Sequence, residues 1–384
     1  MNKRYVLLAL VIIMTFTGGI WTGIFYSTNN EQPHTEGDQI VEEQNQASET
    51  EITEEQEELT ETADEKVLIG YMQDFRNPDS IDYSKLTHVI FSFVHPLKDG
   101  SVLFSSDSAL RSLQEVVIKA NETNTKVMLA IGGWSHMNGG ESYDYFQAAI
   151  SHSTSRTNLV NELMAIVDRE GLDGIDIDFE HPRSNEDAAN LTAFTKELSE
   201  QLHAKNLELS MAVHSKINAA TGTESNYVIY EPATFQYVDH VNIMAYDGQW
   251  DGGYHAENLS PYSFTEHVVN YWSNLFDELD LSREKLVLGV PLYAQPEDSS
   301  MNPISYATII ENSLNNSETD TVSMNGTTYY YNGSLTMKKK TDLAIENGFG
   351  GIMMWETGLD AMGENSLTSV IYEELTQANE NQAS

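Results

Sequence analysis

Three carboxyl side chains, Asp176, Asp178 and Glu180, occupy alternate positions in Leu172-Asp-Gly-Ile-Asp-Ile-Asp-Phe-Glu-His-Pro182. In an extended chain alternate residues share a face, so these three point one way and Ile175, Ile177 and Phe179 the other. Three carboxyls confined together cannot all ionise cheaply; at least one pKa should rise and a proton should be shared. A carboxyl that keeps its proton near neutral pH is a general acid. Pro182 is expected to end the strand just past Glu180. Three other readings weaken on inspection. A wet strand face conflicts with a strand covered on both sides. A calcium loop of the EF-hand type needs its glycine after the acids, whereas Gly174 precedes the inward pair. A two-metal centre needs further ligands, and His88, His95 and His214 show no ligand spacing, so neither metal nor cofactor is expected.

Elements that could hold these groups recur along the chain. Eight short β-branched or aliphatic runs stand at Val67 to Tyr71, His88 to Val94, Lys126 to Gly132, Leu172 to Glu180, Leu207 to Val213, Val238 to Tyr246, Leu286 to Leu292 and Gly351 to Trp355. Helical patterns lie between them at Ser108 to Asn121, Ser155 to Arg169, Glu186 to Ala204, Thr265 to Leu279 and Lys338 to Asn347. Alternating strands and helices imply a parallel sheet, and eight units in about 320 residues suit a closed (β/α)8 TIM barrel with its site at the carboxyl ends of the strands. An open doubly wound sheet is the alternative, weakened by the lack of a glycine-rich phosphate loop after the first strand. Between strands seven and eight, two runs flank Asn325-Gly326 within Thr321 to Ser334, which predicts a small hairpin insertion without a core of its own.

Charge divides the chain. It carries 59 acidic and 20 basic side chains over 384 residues, a net charge of −39. That excludes a nucleic-acid binder, which needs clustered Lys and Arg, and the lack of any cysteine excludes disulfides and thiol chemistry. Lys3 and Arg4 precede 22 uncharged residues from Tyr5 to Tyr26, read as a cleaved signal peptide or an uncleaved signal anchor over 1–26. Either places the rest of the chain outside the cytoplasm, secreted or membrane-anchored. Residues 27–65 hold 14 acids and no Lys or Arg, the composition of a disordered acidic linker. Residues 66–384 form the expected working domain, with 45 acids and 18 bases.

Asp173-Gly-Ile-Asp-Ile-Asp-Phe-Glu180 resembles the Asp-Gly-x-Asp-x-Asp-x-Glu signature of glycoside hydrolase family 18, the chitinases and endo-β-N-acetylglucosaminidases. Gly70-Tyr71 resembles the family's first strand, Ala130-Ile-Gly-Gly-Trp134 its third, and Met244-Ala-Tyr-Asp247 its sixth. Leu288-Gly-Val-Pro-Leu-Tyr293 resembles the seventh strand, and Gly350-Gly-Ile-Met-Met-Trp355 the eighth. The resemblance implies a retaining glycosidase in which the substrate's own 2-acetamido oxygen is the nucleophile, an exception to the two-carboxylate scheme. It makes Glu180 the acid and then the base, and Asp178 the group that orients the acetamido N–H. Asp176 would share a proton with Asp178, Tyr246 would donate to the acetamido oxygen, and Trp355 would be the floor under the sugar. Tyr71, Met244 and Asp247 are expected at the same site. Trp134 and Trp250 should lie at the rim, where aromatics stack on pyranose faces; Trp272, within a helical pattern, belongs to the core.

One position departs from the pattern: Ala130 stands where the family has Ser, whose hydroxyl would neighbour the first inward carboxylate. The expected partner is an N-acetylglucosamine polymer or oligomer, chitin first, taken by a monomer. An N-glycan endo-β-N-acetylglucosaminidase or a cell-wall or spore-wall hydrolase shares the same chemistry. A sugar-binding protein without catalysis is disfavoured because lectin-like relatives lose the glutamate that Glu180 retains.

Overall fold

The computed structural model describes residues 65–382. The expected signal segment and nearly all of the acidic linker lie outside them. Thirteen strands are formed: β1 (Val67–Gln73), β2 (His88–Pro96), β3 (Val102–Phe104), β4 (Lys126–Gly132), β5 (Gly174–Asp178), β6 (Glu208–His214), β7 (His240–Met244), β8 (Leu286–Pro291), β9 (Tyr293–Pro296), β10 (Ile304–Ser305), β11 (Thr321–Met324), β12 (Thr327–Tyr330) and β13 (Gly351–Trp355). Eight of them pair in parallel in the order β1-β2-β4-β5-β6-β7-β8-β13, and β13 returns to β1, closing the barrel. The open-sheet alternative is thereby removed.

Around the barrel run α1 (Asp107–Asn121), α2 (Tyr143–Ser151), α3 (Ser153–Glu170), α4 (Asn185–His203), α5 (Tyr262–Glu278), α6 (Tyr306–Asn312), α7 (Ser334–Glu346) and α8 (Leu367–Gln382). Their starts are specified locally. Ser106 and Ser184 each accept a backbone N–H three residues on, capping α1 and α4. Gly171 ends α3 in the left-handed conformation at φ 67°. Two residues later Asp173 accepts the Val127 amide at 2.7 Å and so ties the entrance of β5 to β4.

Alternation sorts the side chains of the strands. Ile175, Ile177 and Phe179 face the helices, in a core shared with Phe146, Leu163 and Phe194, and Trp272 is fully buried there as expected. Each such side chain contributes about 1.5–3 kcal/mol through burial. A second apolar cluster, including Ile69, Ile90, Met128, Val287 and Met353, fills the inside of the barrel.

The insertion after β8 is larger than the hairpin alone. The hairpin β11–β12 turns on Asn325-Gly326, both at positive φ (54° and 85°), and β12 also pairs with β9, which pairs with β10, giving a four-stranded antiparallel sheet with α6 beside it. Tyr306, Ile309, Tyr329 and Tyr331 of this region belong to the main core, so the insertion has no separate one. Four-residue strands such as β9 give no periodicity long enough to be read from sequence.

Candidate active site

A cleft of about 830 Å³ opens at the carboxyl ends of the barrel strands, walled by Asp178, Glu180, Tyr246, Trp355, Trp134 and Trp250 among others. Tyr71, Met244 and Asp247 line it as well. Asp176 is fully buried beneath it. The sequence therefore named groups that the fold brings together. One element differs from expectation: β5 ends at Asp178, so Glu180 stands two residues past the ladder rather than on it. The last bond of the β4–β5 ladder runs from the Gly133 amide to the Asp178 carbonyl, at 2.9 Å, and the chain leaves the sheet beyond it.

Asp176 sits in a dense polar cage. The Tyr71 hydroxyl donates to Oδ2 at 2.7 Å, the Ser210 hydroxyl to Oδ1 at 2.5 Å, and the Asn242 amide to Oδ1 at 3.3 Å. Burial pushes its carboxyl up and these donors pull it part of the way back, leaving the pKa at about 6. Asp178 has no such donors. Its Oδ1 is buried with no hydrogen-bond partner among the described residues. Burial first, then the charges of Glu180 and Asp176, hold its carboxyl well above the usual range. Glu180 is likewise pushed up, by burial and then by the Asp247 carboxylate. A neutral acid at the cleft wall is what general-acid chemistry requires.

Tyr246 follows β7, and among the described residues its hydroxyl hydrogen-bonds only the Met353 sulfur, at 3.8 Å. Sulfur is a weak acceptor, so this hydroxyl keeps most of its donor capacity for a ligand. Burial raises its pKa far above 10, and the hydroxyl stays protonated. Asp247 adopts a left-handed φ of 62° and accepts from the Tyr293 hydroxyl at 2.6 Å and the Gln249 amide at 3.0 Å. Trp355 packs its ring against Tyr71 and Phe93, at centroid distances of 5.6 and 5.9 Å. Trp134 and Trp250 are 51% and 64% exposed, which suits rim positions and rules out packing as their main use.

Several residues here were not singled out from the sequence. Ser210 and Asn242 carry the period-two signal that could have found them: Ser210 is two positions before Ala212, and Asn242 two before Met244, on cleft-directed faces. Tyr227, His181 and His214 form a second group beside Glu180. His214 Nδ1 accepts the Lys216 amide at 2.9 Å, so its Nε2 carries the hydrogen and donates to the Tyr227 oxygen at 2.6 Å. The hydrogen of the Tyr227 hydroxyl is thereby left for the cleft. Burial lowers His181 to a pKa of about 4 and His214 to about 3, so both rings are neutral at pH 7. No sequence signal linked these three, because His214 ends β6 while His181 and Tyr227 stand in two separate loops.

An acidic run at the end of a barrel strand, a buried carboxyl pair and an aromatic-lined cleft are the parts of a sugar hydrolase. The sequence model described as Glycosyl hydrolases family 18 matches residues 67–360. The chain belongs to that family. As a family 18 member it is a glycosidase. Among similar proteins, Endochitinase 1 of Metarhizium robertsii is 25% identical, over 76% of this chain and 79% of that protein. Chitinase 1 of Aphanocladium album is 26% identical, over 79% and 82%. Among solved structures, the GH18 chitinase ChiB from the chitin utilization locus of Flavobacterium johnsoniae superposes with a TM-score of 0.68 at 25% identity, over 82% of this chain and 94% of that one.

Proposed function

We propose that this glycosidase cleaves β-1,4 linkages that follow N-acetylglucosamine, with chitin or its oligomers as substrate, by a retaining, substrate-assisted reaction. The observation that carries the reading is the unpartnered Oδ1 of Asp178. A buried carboxylate oxygen without a donor is costly unless a ligand supplies one, and an acetamido N–H would do so. Glu180 then protonates the glycosidic oxygen while the acetamido oxygen, polarised by Tyr246, attacks the anomeric carbon. Asp178 stabilises the cationic oxazolinium that results, and Asp176 takes up the shared proton. Glu180, now ionised, activates the water that opens the ring. An attached nucleophile acts at high effective concentration, which is why a protein nucleophile is dispensable. Trp355 forms the floor and Trp134 and Trp250 stack on sugars at the rim. Relatives named as chitinases support chitin over N-glycans as the substrate.

The N-terminal run after Lys3 and Arg4 supports an enzyme that works outside the cytoplasm. The test compares chitin oligosaccharides, their deacetylated counterparts and a high-mannose glycopeptide. Cleavage of the first alone is expected. Normal turnover of a deacetylated oligomer would overturn the mechanism, and preference for the glycopeptide would overturn the substrate.

A further inference from the structure

At the opposite end of the barrel from the cleft, three strands begin with residues that point at one another across the interior. His88 opens β2, Glu208 opens β6 and His240 opens β7. β2 is not a neighbour of either of the others in the sheet, so the contact spans the barrel. His88 Nε2 lies 2.8 Å from Glu208 Oε2, and His240 Nε2 lies 3.8 Å from the same oxygen. One ligand atom from each residue falls within 4.8 Å of the other two. The two imidazole rings meet edge to face at 5.3 Å.

Nothing in the cleavage reaction uses this group. Filling the barrel end with apolar side chains, as Ile69, Ile90 and Met128 do beside it, would avoid the cost of placing a carboxylate there. Buried charges are retained when paired or when they hold a metal. We propose that His88, Glu208 and His240 form a binding site for one divalent transition-metal ion of the zinc type, which ties β2, β6 and β7 together at the amino end of the barrel.

Three features of the site fit that ion. Two imidazole nitrogens and one carboxylate oxygen are a donor set for zinc, and three protein ligands leave a fourth position for water. Calcium and magnesium need more oxygens than the site offers. The outer contacts that orient ligands are also in place. Thr87 Oγ1 lies 2.8 Å from His88 Nδ1 and can accept its hydrogen when Nε2 binds metal, and Lys126 pairs with the second Glu208 oxygen. Sequence spacing could not show the site, because its ligands lie 120 and 32 residues apart and only barrel closure joins them.

The experiment uses the full chain, stripped with a chelator. Zinc chloride is titrated by calorimetry and thermal unfolding is followed, with magnesium chloride as the control. Cobalt(II) binding is read by visible absorption. Expected results are one zinc per chain, a Tm rise of about 4 °C or more at saturating zinc with none from magnesium, and a cobalt band of low-coordinate type. Stoichiometric binding should be lost in both His88→Gln and His240→Gln. Absence of zinc binding and of the cobalt band in the unmodified chain overturns the proposal without recourse to any variant. Equal zinc binding by the chain and by either variant that folds overturns it too, since the ion would then sit elsewhere.

Discussion

Ser210 and Asp176 lie in register on adjacent strands β6 and β5, with the hydroxyl of one donating to the carboxylate of the other at 2.5 Å. On the other side of Asp176, also in register, is Ala130 of β4, where the family pattern has serine. The hydroxyl missing from one neighbouring strand is thus matched by one on the other. This donor favours the ionised form of Asp176, and removing it should raise that pKa. In the proposed cycle activity falls on the acid side as Asp176 is protonated, near pH 6. Ser210→Ala is expected to move the acid limb of the kcat/KM profile upward by about 0.5–1 pH unit, and Ala130→Ser to move it downward. An unchanged limb in both variants would remove Ser210 from this role.

Glu180→Gln should reduce kcat by about 10²–10⁴-fold, the range for a lost general acid, while oligosaccharide binding measured by calorimetry stays within a fewfold. On the alkaline side the native enzyme should lose activity as Glu180 gives up its proton, at a pH well above the ordinary carboxyl range because burial and Asp247 raise it.

Asp178→Asn is expected to separate activity from stability. The native carboxyl has a raised pKa, so between the unfolded and folded values the unfolded chain releases its proton first, and stability falls as pH rises through that window. Asparagine carries no charge there and avoids this cost. The variant should be severely impaired in turnover yet melt about 2–5 °C higher at pH 7, with the gap narrowing toward pH 4. A lower Tm at pH 7 would contradict the argument.

Tyr246→Phe removes a hydroxyl whose only hydrogen bond among the described residues is to a methionine sulfur. The fold should be unaffected, since no strong hydrogen bond is lost. Turnover should drop by about 10²–10³-fold, as for other donors to a developing charge, with little change in KM. A loss confined to KM would show that the hydroxyl serves ground-state binding alone.

The barrel was readable because its strands repeat one pattern, and the alternation in Leu172 to Glu180 by itself puts the three carboxyls on one face. Less was readable where residues meet without sequence periodicity. Tyr227 folds back onto His214 from the loop that follows β6, and Phe93 of β2 reaches Trp355 of β13 through a contact that barrel closure creates. Ser210 and Asn242 were visible in principle, as polar residues on inward faces, but a single serine in an aliphatic run is as often a solvent-side residue. The end of β5 was misplaced for a physical reason: its last ladder bond is made at Asp178, while the side-chain alternation runs on to Glu180 and does not report where backbone pairing stops.

The small sheet between β8 and β13 sends Gln295 to the cleft, and its aromatic side chains are embedded in the same core as the barrel. A wall rooted in this way cannot shift without disturbing that core. The width of the groove is therefore set when the chain folds and not when a ligand arrives. A long glycan of the kind proposed above must be laid in or drawn through a rigid channel, and products can leave without waiting for a door to open. Turnover would then be paced by bond cleavage or by sliding of the polymer, and added viscosity should slow it only as far as it slows that sliding.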